Sequence, residues 1–418
     1  MTHDIAIPLP EQRPRLTARR PIGGASDSID PAQGPRSLYI HIPFCTHKCH
    51  YCDFYSIVDR QDRQAAFTRR LERELIAIAP VGAQLRTIFV GGGTPTLLAT
   101  PLWRDLLATL DRAFDLSQIR SGQGEFSVEC NPETATQQLF DTLVEGGVNR
   151  ISVGAQSFDR RHLITLERRH DPANVARAIE LARGAGIARQ SADLIFAVPG
   201  QSVEEWADDL ERVVELGTEH LSCYALTYEP NTAMTARLDL GEFVRADEDL
   251  EADMYELTVE RLTRAGIERY EVSNFARPGA ECAHNLAYWR QEDWLAAGPS
   301  ASGHFRGHRW KNAPRLNDYL TIDDEGYAPI IEHEPPDARR AVRERIMTGI
   351  RLREGLEIER VCASAERVAP GARRRLETSA AWHTEVGLVI ESGGRWVLTD
   401  AGFLMGDRVA RDLMDALV

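Results

Sequence analysis

Three thiols sit within eight residues of one another. In SLYIHIPFCTHKCHYCDFYS, Ser37 to Ser56, the cysteines Cys45, Cys49 and Cys52 follow a C-x3-C-x2-C spacing. Cysteines grouped this closely hold metal or do chemistry. One reading is structural zinc, with His41, His47 or His50 as a fourth ligand. Such sites usually join two separated ligand pairs, however, and no second pair follows. The other reading is a 4Fe–4S cluster on three thiolates, which leaves one iron free for a non-protein ligand.

Further residues with chemical potential follow in order. The stretch GGGTPT, Gly91 to Thr96, offers backbone without side chains, either as a plain turn or as a cradle for a ligand. It lacks the following Gly-Lys-Ser/Thr of a phosphate loop. Glu129 in ECNPET stands at the end of an apolar run. Gln156 lies in GAQSF, Arg168 in LERRH and Asp193 in DLIFAVPGQ. Singly, Arg168 reads as an ordinary exposed arginine and Asp193 as a strand acid. HNLAYW, His284 to Trp289, combines an imidazole with two aromatic rings, and His304 in GPSASGHF is a second isolated imidazole. The bland reading of HNLAYW is a capped turn with aromatics in the core.

Composition narrows the classes. Acids outnumber bases 63 to 49, for a net charge of -14, which argues against a broad nucleic-acid surface. The seven cysteines are an odd number, and Cys130, Cys223, Cys282 and Cys362 are scattered, as in a reducing cytoplasm. No stretch approaches the roughly 20 apolar residues of a membrane span. Residues 1–36 lack an apolar signal region and read as a flexible tail; their arginines also suit an organellar transit peptide, against which their acids weigh.

The elements that must carry these residues alternate. Ser37 to Pro43 reads as a strand with Leu38, Ile40 and Ile42 on one face. A helix over Gln61 to Ala79 follows, then the strands RTIFV, EFSVE, RISVG, SADLIFAV and HLSCYAL, with amphipathic helices between them and a last helix over Asp247 to Ala265. That order predicts parallel strands with right-handed crossovers, in a full or partial barrel. Functional groups then gather at the strands' C-terminal ends, where the cysteine loop, the glycines and Glu129 all fall. Beyond Glu334 the pattern becomes helix, hairpin around Ser392 to Gly394, and a helix capped near Thr399. This predicts a small winged-helix-like C-terminal domain that packs or covers rather than reads DNA.

The cysteine spacing after the first strand, with Tyr51 before the last cysteine and the later motifs in order, resembles the radical S-adenosylmethionine (radical SAM) superfamily. The resemblance covers roughly nine-tenths of the chain, from Ser37 on. It implies a partial (β/α)6 TIM-type barrel with Cys45, Cys49 and Cys52 on the cluster, whose free iron is chelated by S-adenosylmethionine. Tyr39, Gly92, Gly93, Thr94, Glu129, Gln156, Arg168 and Asp193 are then expected around that cofactor.

Two branches resemble the chain: the oxygen-independent coproporphyrinogen III oxidases and their haem-chaperone paralogues. The oxidases carry a further cysteine two positions after the third, where this chain has Phe54 after Asp53. HNLAYW is typical of the chaperones, and a packed N-terminal extension like that of the oxidases has no counterpart in the tail. The resemblance therefore implies haem as ligand, with His284 as a haem contact, and an acceptor haem protein of respiratory type. It further implies an electron donor such as a flavodoxin or a bacterioferritin-type protein, a capacity to form a homodimer and a cytoplasmic setting. No nucleic acid and no coproporphyrinogen dehydrogenase activity are expected. Domain bounds follow at 1–36, 37–334 and 335–418. The oxidase itself and a radical SAM methyltransferase are the alternatives.

Overall fold

The computed structural model describes residues 34–82, 84–323 and 325–418, so the expected tail lies almost wholly outside the described residues. Six parallel strands follow in chain order: β1 (Ser37–Ile42), β2 (Thr87–Gly92), β3 (Glu125–Cys130), β4 (Arg150–Gln156), β5 (Arg189–Phe196) and β6 (His220–Ala225). Each alternates strictly. Leu38, Ile40, Ile88, Val90, Phe126, Val128, Ile151, Val153, Ala192 and Leu194 have no exposed surface and face the surrounding helices. Each such Leu or Ile contributes roughly 1.5–3 kcal/mol on burial. The intervening residues, among them Tyr39, Phe89, Glu129, Ser152 and Asp193, face the barrel interior. Helices over Gln64–Ile78, Thr100–Ala113, Gln137–Glu145, Ala173–Ala185, Val203–Glu215 and Glu248–Arg264 form the outer layer. The first begins three residues later than expected, because the Asp59 carboxylate accepts from the backbone N–H groups of Gln61 and Arg63 and holds that turn open.

The sheet extends past the six strands on both sides. β7 (Glu268–Arg269) and β8 (Asn274–Ala276) add antiparallel beside β6; β9 (Trp294–Ala297) lies parallel to β1, followed by antiparallel β10 (Ser302–Phe305), β11 (His308–Asn312) and β12 (Ile330–Glu334). The order β12-β11-β10-β9-β1-β2-β3-β4-β5-β6-β8-β7 does not close, so the barrel is partial. Buried polar groups lock the extension to the first helix. Glu74 accepts from Gly298 N–H, Asn312 Nδ2 and Tyr319 Oη at 2.9, 2.8 and 2.6 Å, and Arg70 donates to the carbonyls of Tyr319, Gly326 and Tyr327.

The C-terminal part has its own core, including Val342, Ile346, Val361, Leu376 and Val409. Helix Ala338–Gly349, β13 (Leu356–Glu357), helices Ile358–Val368 and Ala372–Glu385, and the hairpin β14 (Val389–Ser392) with β15 (Arg395–Leu398) make the winged-helix order, with the sheet arranged β13-β15-β14. Gly393 and Gly394, at φ 57° and 72°, form the two-residue hairpin turn that needs left-handed backbone at both positions. Two further helices, Asp400–Leu404 and Gly406–Asp415, close the chain, the first capped by Thr399. This part docks on the barrel through Arg309 on Glu344 at 2.7 Å and Arg290 on Glu354 at 2.9 Å. Arg269 adds a 2.7 Å bond to Asp400 and lies 3.6 Å above the Phe403 ring. No helix among the described residues is long and apolar enough to cross a membrane.

Candidate cofactor site

The cysteine loop stands where the chain leaves β1. Its base is closed by Cys45 N–H donating to Ile57 O and Ile57 N–H to Pro43 O, at 2.9 and 2.8 Å, so the thiols rest on a fixed stem above the barrel. Thr94 Oγ1 lies 3.5 Å from Cys45 Sγ, and Arg168 Nη1 donates to Cys49 Sγ at 3.7 Å. The histidines that could complete a zinc site are held elsewhere. His41 lies between Tyr39 Oη and Tyr55 O at 3.0 and 2.8 Å, His47 faces Glu167 at 3.2 Å, and His50 Nδ1 accepts from Arg237 at 3.2 Å. Burial pushes the pKa of His41 down to about 4, so the neutral ring donates to Tyr55 O and accepts from Tyr39.

Among the described residues the group with all donor atoms within 4.8 Å of one another is Asp159, His162 and Glu205. Three thiols without a fourth protein ligand beside them fit a cluster with one open iron better than a closed tetrahedral ion. The Asp159 group needs no ion, since Arg161 bridges Asp159 and Glu205 at 2.5 and 2.6 Å.

Below the loop, the glycines let two segments touch. Gly92, at φ 108°, lies flat against the His41 ring, and a Cβ on Gly93 would come within 2.8 Å of the Phe44 carbonyl oxygen. Gly93 N–H and Thr94 N–H donate to Ile42 O and Phe44 O, tying the glycine loop to the cysteine loop.

The carboxylates sit one strand apart. Glu129 on β3 accepts from Gly92 N–H at 3.0 Å, and its pKa is raised to about 7 by burial and then by the charge of Asp193, with no cation among the described residues to offset it. The Ser152 hydroxyl donates to the Asp193 carboxylate on β5, its Oγ lying 3.0 and 3.1 Å from the two oxygens. Burial raises its pKa, against the pull of Ser222, Ser152, Arg150 and Arg168. Gln156 ends β4 in left-handed backbone at φ 63°, where the pairing with β5 slips by one residue. Such a conformation is uncommon outside glycine and turns the strand end. Arg168 donates to Gly154 O at 3.0 Å, while its Nε is buried without a partner. Tyr39 stacks on Phe89 with centroids 6.3 Å apart. All eight expected cofactor residues thus lie at the C-terminal mouth or in the interior just beneath it.

HNLAYW does not share that mouth. Its helix, Ala283–Trp289, plugs the opposite end, where the strands begin. Ala283 N–H and His284 N–H donate to Glu125, the first residue of β3, and His284 Nδ1 lies 2.8 Å from Thr87 Oγ1, the first residue of β2. His284 Nε2 lies 2.9 Å from Tyr288 Oη, and its ring stacks on Phe89. At 1% exposure, with its pKa lowered to about 4, His284 is a neutral floor residue with both nitrogens engaged. A bond from His284 to haem iron would need one of these two hydrogen bonds to be given up. His304 lies on the sheet extension, 3.1 Å from Glu292 O and against Trp294.

Sequence spacing missed the cover over the cysteine loop. Helix Ala233–Asp239 holds it through Met234 N–H on His50 O at 2.9 Å and through Arg237, which also donates to Thr165 O. Nothing local in the sequence marks contacts between residues 187 positions apart. Tyr288, which bonds His284 beneath the cavity, was legible only as an aromatic in a motif.

An open barrel with three thiols over its mouth and buried carboxylates beneath is the architecture of a radical SAM protein, and the profile of the Radical SAM superfamily matches residues 39–213. The HemN C-terminal domain profile matches residues 337–405. The Heme chaperone HemW of Mycobacterium tuberculosis is 36% identical over 385 residues, which span 91% of this chain and 95% of that protein. The Heme chaperone HemW of Bacillus subtilis is 34% identical over 90% of this chain and 98% of its own. The chain belongs to the heme chaperone HemW family. The solved structure of coproporphyrinogen III oxidase (HemN) from Escherichia coli superposes with a TM-score of 0.78 over 93% of this chain and 92% of that one, at 23% identity, a likeness of fold alone.

Proposed function

We propose that this protein binds haem and passes it to an acceptor haem protein, with a 4Fe–4S cluster on Cys45, Cys49 and Cys52 and S-adenosylmethionine at the barrel mouth. The observation that carries the chaperone over the oxidase is at the end of the cysteine loop. After Cys52 come Asp53 and Phe54, both exposed, where an oxidase has its extra cysteine.

The cluster, when bound, supplies one electron to the sulfonium of S-adenosylmethionine. The chain's own residues set the cofactor's charges. Glu129 has no facing cation and suits the cofactor's ammonium group, and the unpartnered Nε of Arg168 suits its carboxylate. Gly92 and Gly93 bring backbone close to that end, Tyr39 walls the interior, and Thr94 steadies Cys45. Gln156 and Asp193 would serve as acceptors for hydroxyls of the cofactor's sugar. A respiratory haem enzyme as acceptor, a flavodoxin or bacterioferritin-type electron donor and a homodimer belong to the same reading. So does a cytoplasmic setting, which the absence of a helix fit to span a membrane among the described residues permits.

Anaerobic incubation of cluster-reconstituted protein with coproporphyrinogen III and S-adenosylmethionine separates the readings. Haem binding without protoporphyrinogen formation is expected. Turnover to protoporphyrinogen at a catalytic rate overturns the chaperone reading in favour of the oxidase, and methylated product with S-adenosylhomocysteine favours the methyltransferase.

A further inference from the structure

His284 and Tyr288 of HNLAYW are engaged on the barrel floor. Asn285 and Trp289, one helical turn apart, meet instead on the carboxylate of Glu271. Glu271 lies in the turn between β7 and β8 and has no exposed surface. Asn285 Nδ2 donates to its Oε1 at 3.1 Å and to Tyr270 Oη at 3.2 Å. Ser273 N–H donates to Oε2 at 2.9 Å, and Asn274 Nδ2 donates to the oxygen that Asn285 holds. Burial raises the pKa of Glu271, against the pull of Ser273, Asn274, Asn285 and the Trp289 indole. Filling the lone pairs in this way is what makes a buried carboxylate tolerable.

The backbone beside Glu271 carries the C-terminal domain. Glu271 forms an antiparallel bridge with Leu352, and Arg353 N–H donates to Tyr270 O at 2.9 Å. Leu352 and Arg353 follow directly on helix Ala338–Gly349, the first of that domain. Tyr255, packed against both cores, donates to Val272 O in the same turn at 2.9 Å. Beyond the bridge the two parts separate, and a cleft of about 590 Å³ opens, lined by Trp289 from the barrel and by Arg345, Arg360 and Glu357 from the C-terminal part. The ion pairs across the joint are more open. Arg290 and Glu354 are both solvent-accessible, Arg269 meets an Asp400 that is 86% exposed, and Arg309 on Glu344 is half-buried. An exposed pair shifts an equilibrium by about fivefold at most and is screened by salt. A hydrogen bond to a buried charge is worth about ten- to a hundredfold.

We infer that Glu271, gripped by Asn285 and Trp289, is the pin of an interdomain clasp. It fixes the 270–273 turn as the edge on which the C-terminal domain hangs, and its release lets that domain part from the barrel while both cores stay folded. The second half of the motif then has a role of its own, independent of the ligand the protein carries: it decides how firmly the two domains are held together.

The test is amide hydrogen exchange read by mass spectrometry on the full-length, cluster-reconstituted protein. Wild type is compared with Glu271→Gln, Asn285→Ala and a Glu344→Gln/Glu354→Gln double variant. Glu271→Gln keeps the size of the side chain but turns an acceptor oxygen into an NH2 group that faces donors. Exchange in the peptide over 350–357, which contains the Arg353 N–H, is expected to quicken at least about tenfold. Peptides over β1 to β6 and over helix Ile358–Val368 stay within about twofold of wild type. Asn285→Ala quickens the same peptide by at least about threefold, since it removes one donor of several. The double variant, and wild type in about 1 M salt, where the Debye length is about 3 Å, change that peptide less than Glu271→Gln does. Unchanged exchange over 350–357 in folded Glu271→Gln removes the clasp. A uniform rise across both cores makes Glu271 an ordinary core group and equally overturns the inference. A larger rise in the double variant or in salt assigns the joint to the surface ion pairs instead. Should Glu271→Gln not fold, Asn285→Ala decides at the same peptide.

Discussion

The barrel mouth and the interdomain cleft differ in how their charges are met. At the mouth, Glu129 and Asp193 stand inside the barrel; burial and then the charge of Asp193 raise the ionisation cost of Glu129, while Arg150 and Arg168 pull on Asp193. In the cleft both signs share the lining: Arg290 and Arg395 meet Glu354, and Arg345 and Arg360 stand with the exposed Glu292 and Glu357. The first environment favours a ligand that brings positive charge; the second meets most of its charges within the protein's own surface. The helix between them, Ala283–Trp289, touches both: His284 and Tyr288 floor the first, and Trp289 walls the second.

The strongest way to separate the two regions is to empty one. A Cys45→Ala, Cys49→Ala, Cys52→Ala variant is expected to lose all bound iron and sulfide after anaerobic reconstitution while haem affinity, read by Soret titration, stays within about twofold. A parallel loss of haem binding would join the sites that the structure keeps apart.

His284→Ala acts on the helix between them. It removes both ring hydrogen bonds and the stack on Phe89, and leaves Thr87 with a buried hydroxyl short of a partner. The expected cost is about 3 kcal/mol in urea unfolding, with haem affinity in the folded protein nearly unchanged. A specific loss of haem at unchanged stability would return the haem contact to this residue.

Glu129→Gln keeps the shape of the mouth and removes its charge. S-adenosylmethionine affinity, measured by calorimetry on cluster-loaded protein, is expected to fall by about 2 kcal/mol, while haem binding is unaffected.

The smallest effect is in pH. Because the folded pKa of Glu129, about 7, lies above its ordinary value, its ionisation opposes folding: from this group alone stability is highest below the ordinary carboxylate range and falls as pH rises toward 7. A cationic ligand reverses that sign by favouring the ionised form. S-adenosylmethionine affinity is therefore expected to rise with pH by up to about 1.4 kcal/mol per unit below pH 7 and to level off above it. Haem affinity should not follow this profile, and Glu129→Gln should flatten it.

Much of the mouth was legible because it is local. The cysteine spacing, the glycines after β2, and acids one residue from the end of a run such as FSVE place chemistry at strand ends without knowledge of the fold. Period-two alternation marked the first strand, and short apolar runs between amphipathic helices marked the other five parallel strands, for the same reason: each apolar residue answers to its own strand's buried face. The strands β7 to β12 were not legible. They run two to five residues, too short for a period to declare itself, and their pairing depends on partners as distant as β1 and β6.

By itself, then, the sequence determined the superfamily, the place of the three-cysteine loop and the polar lining of the barrel, since those depend on spacing along one strand and the loop beyond it. Tertiary structure alone decided where HNLAYW goes. An imidazole beside two aromatics suits a haem contact and a packed floor equally well. The choice rests on Thr87 and Glu125, which are brought to His284 by the parallel register of β2 and β3 and by the return of a helix from more than 150 residues downstream. The cleft is of the same kind: Trp289 comes from the barrel's floor helix and Arg345 and Arg360 from the C-terminal part, and only packing brings them to one opening.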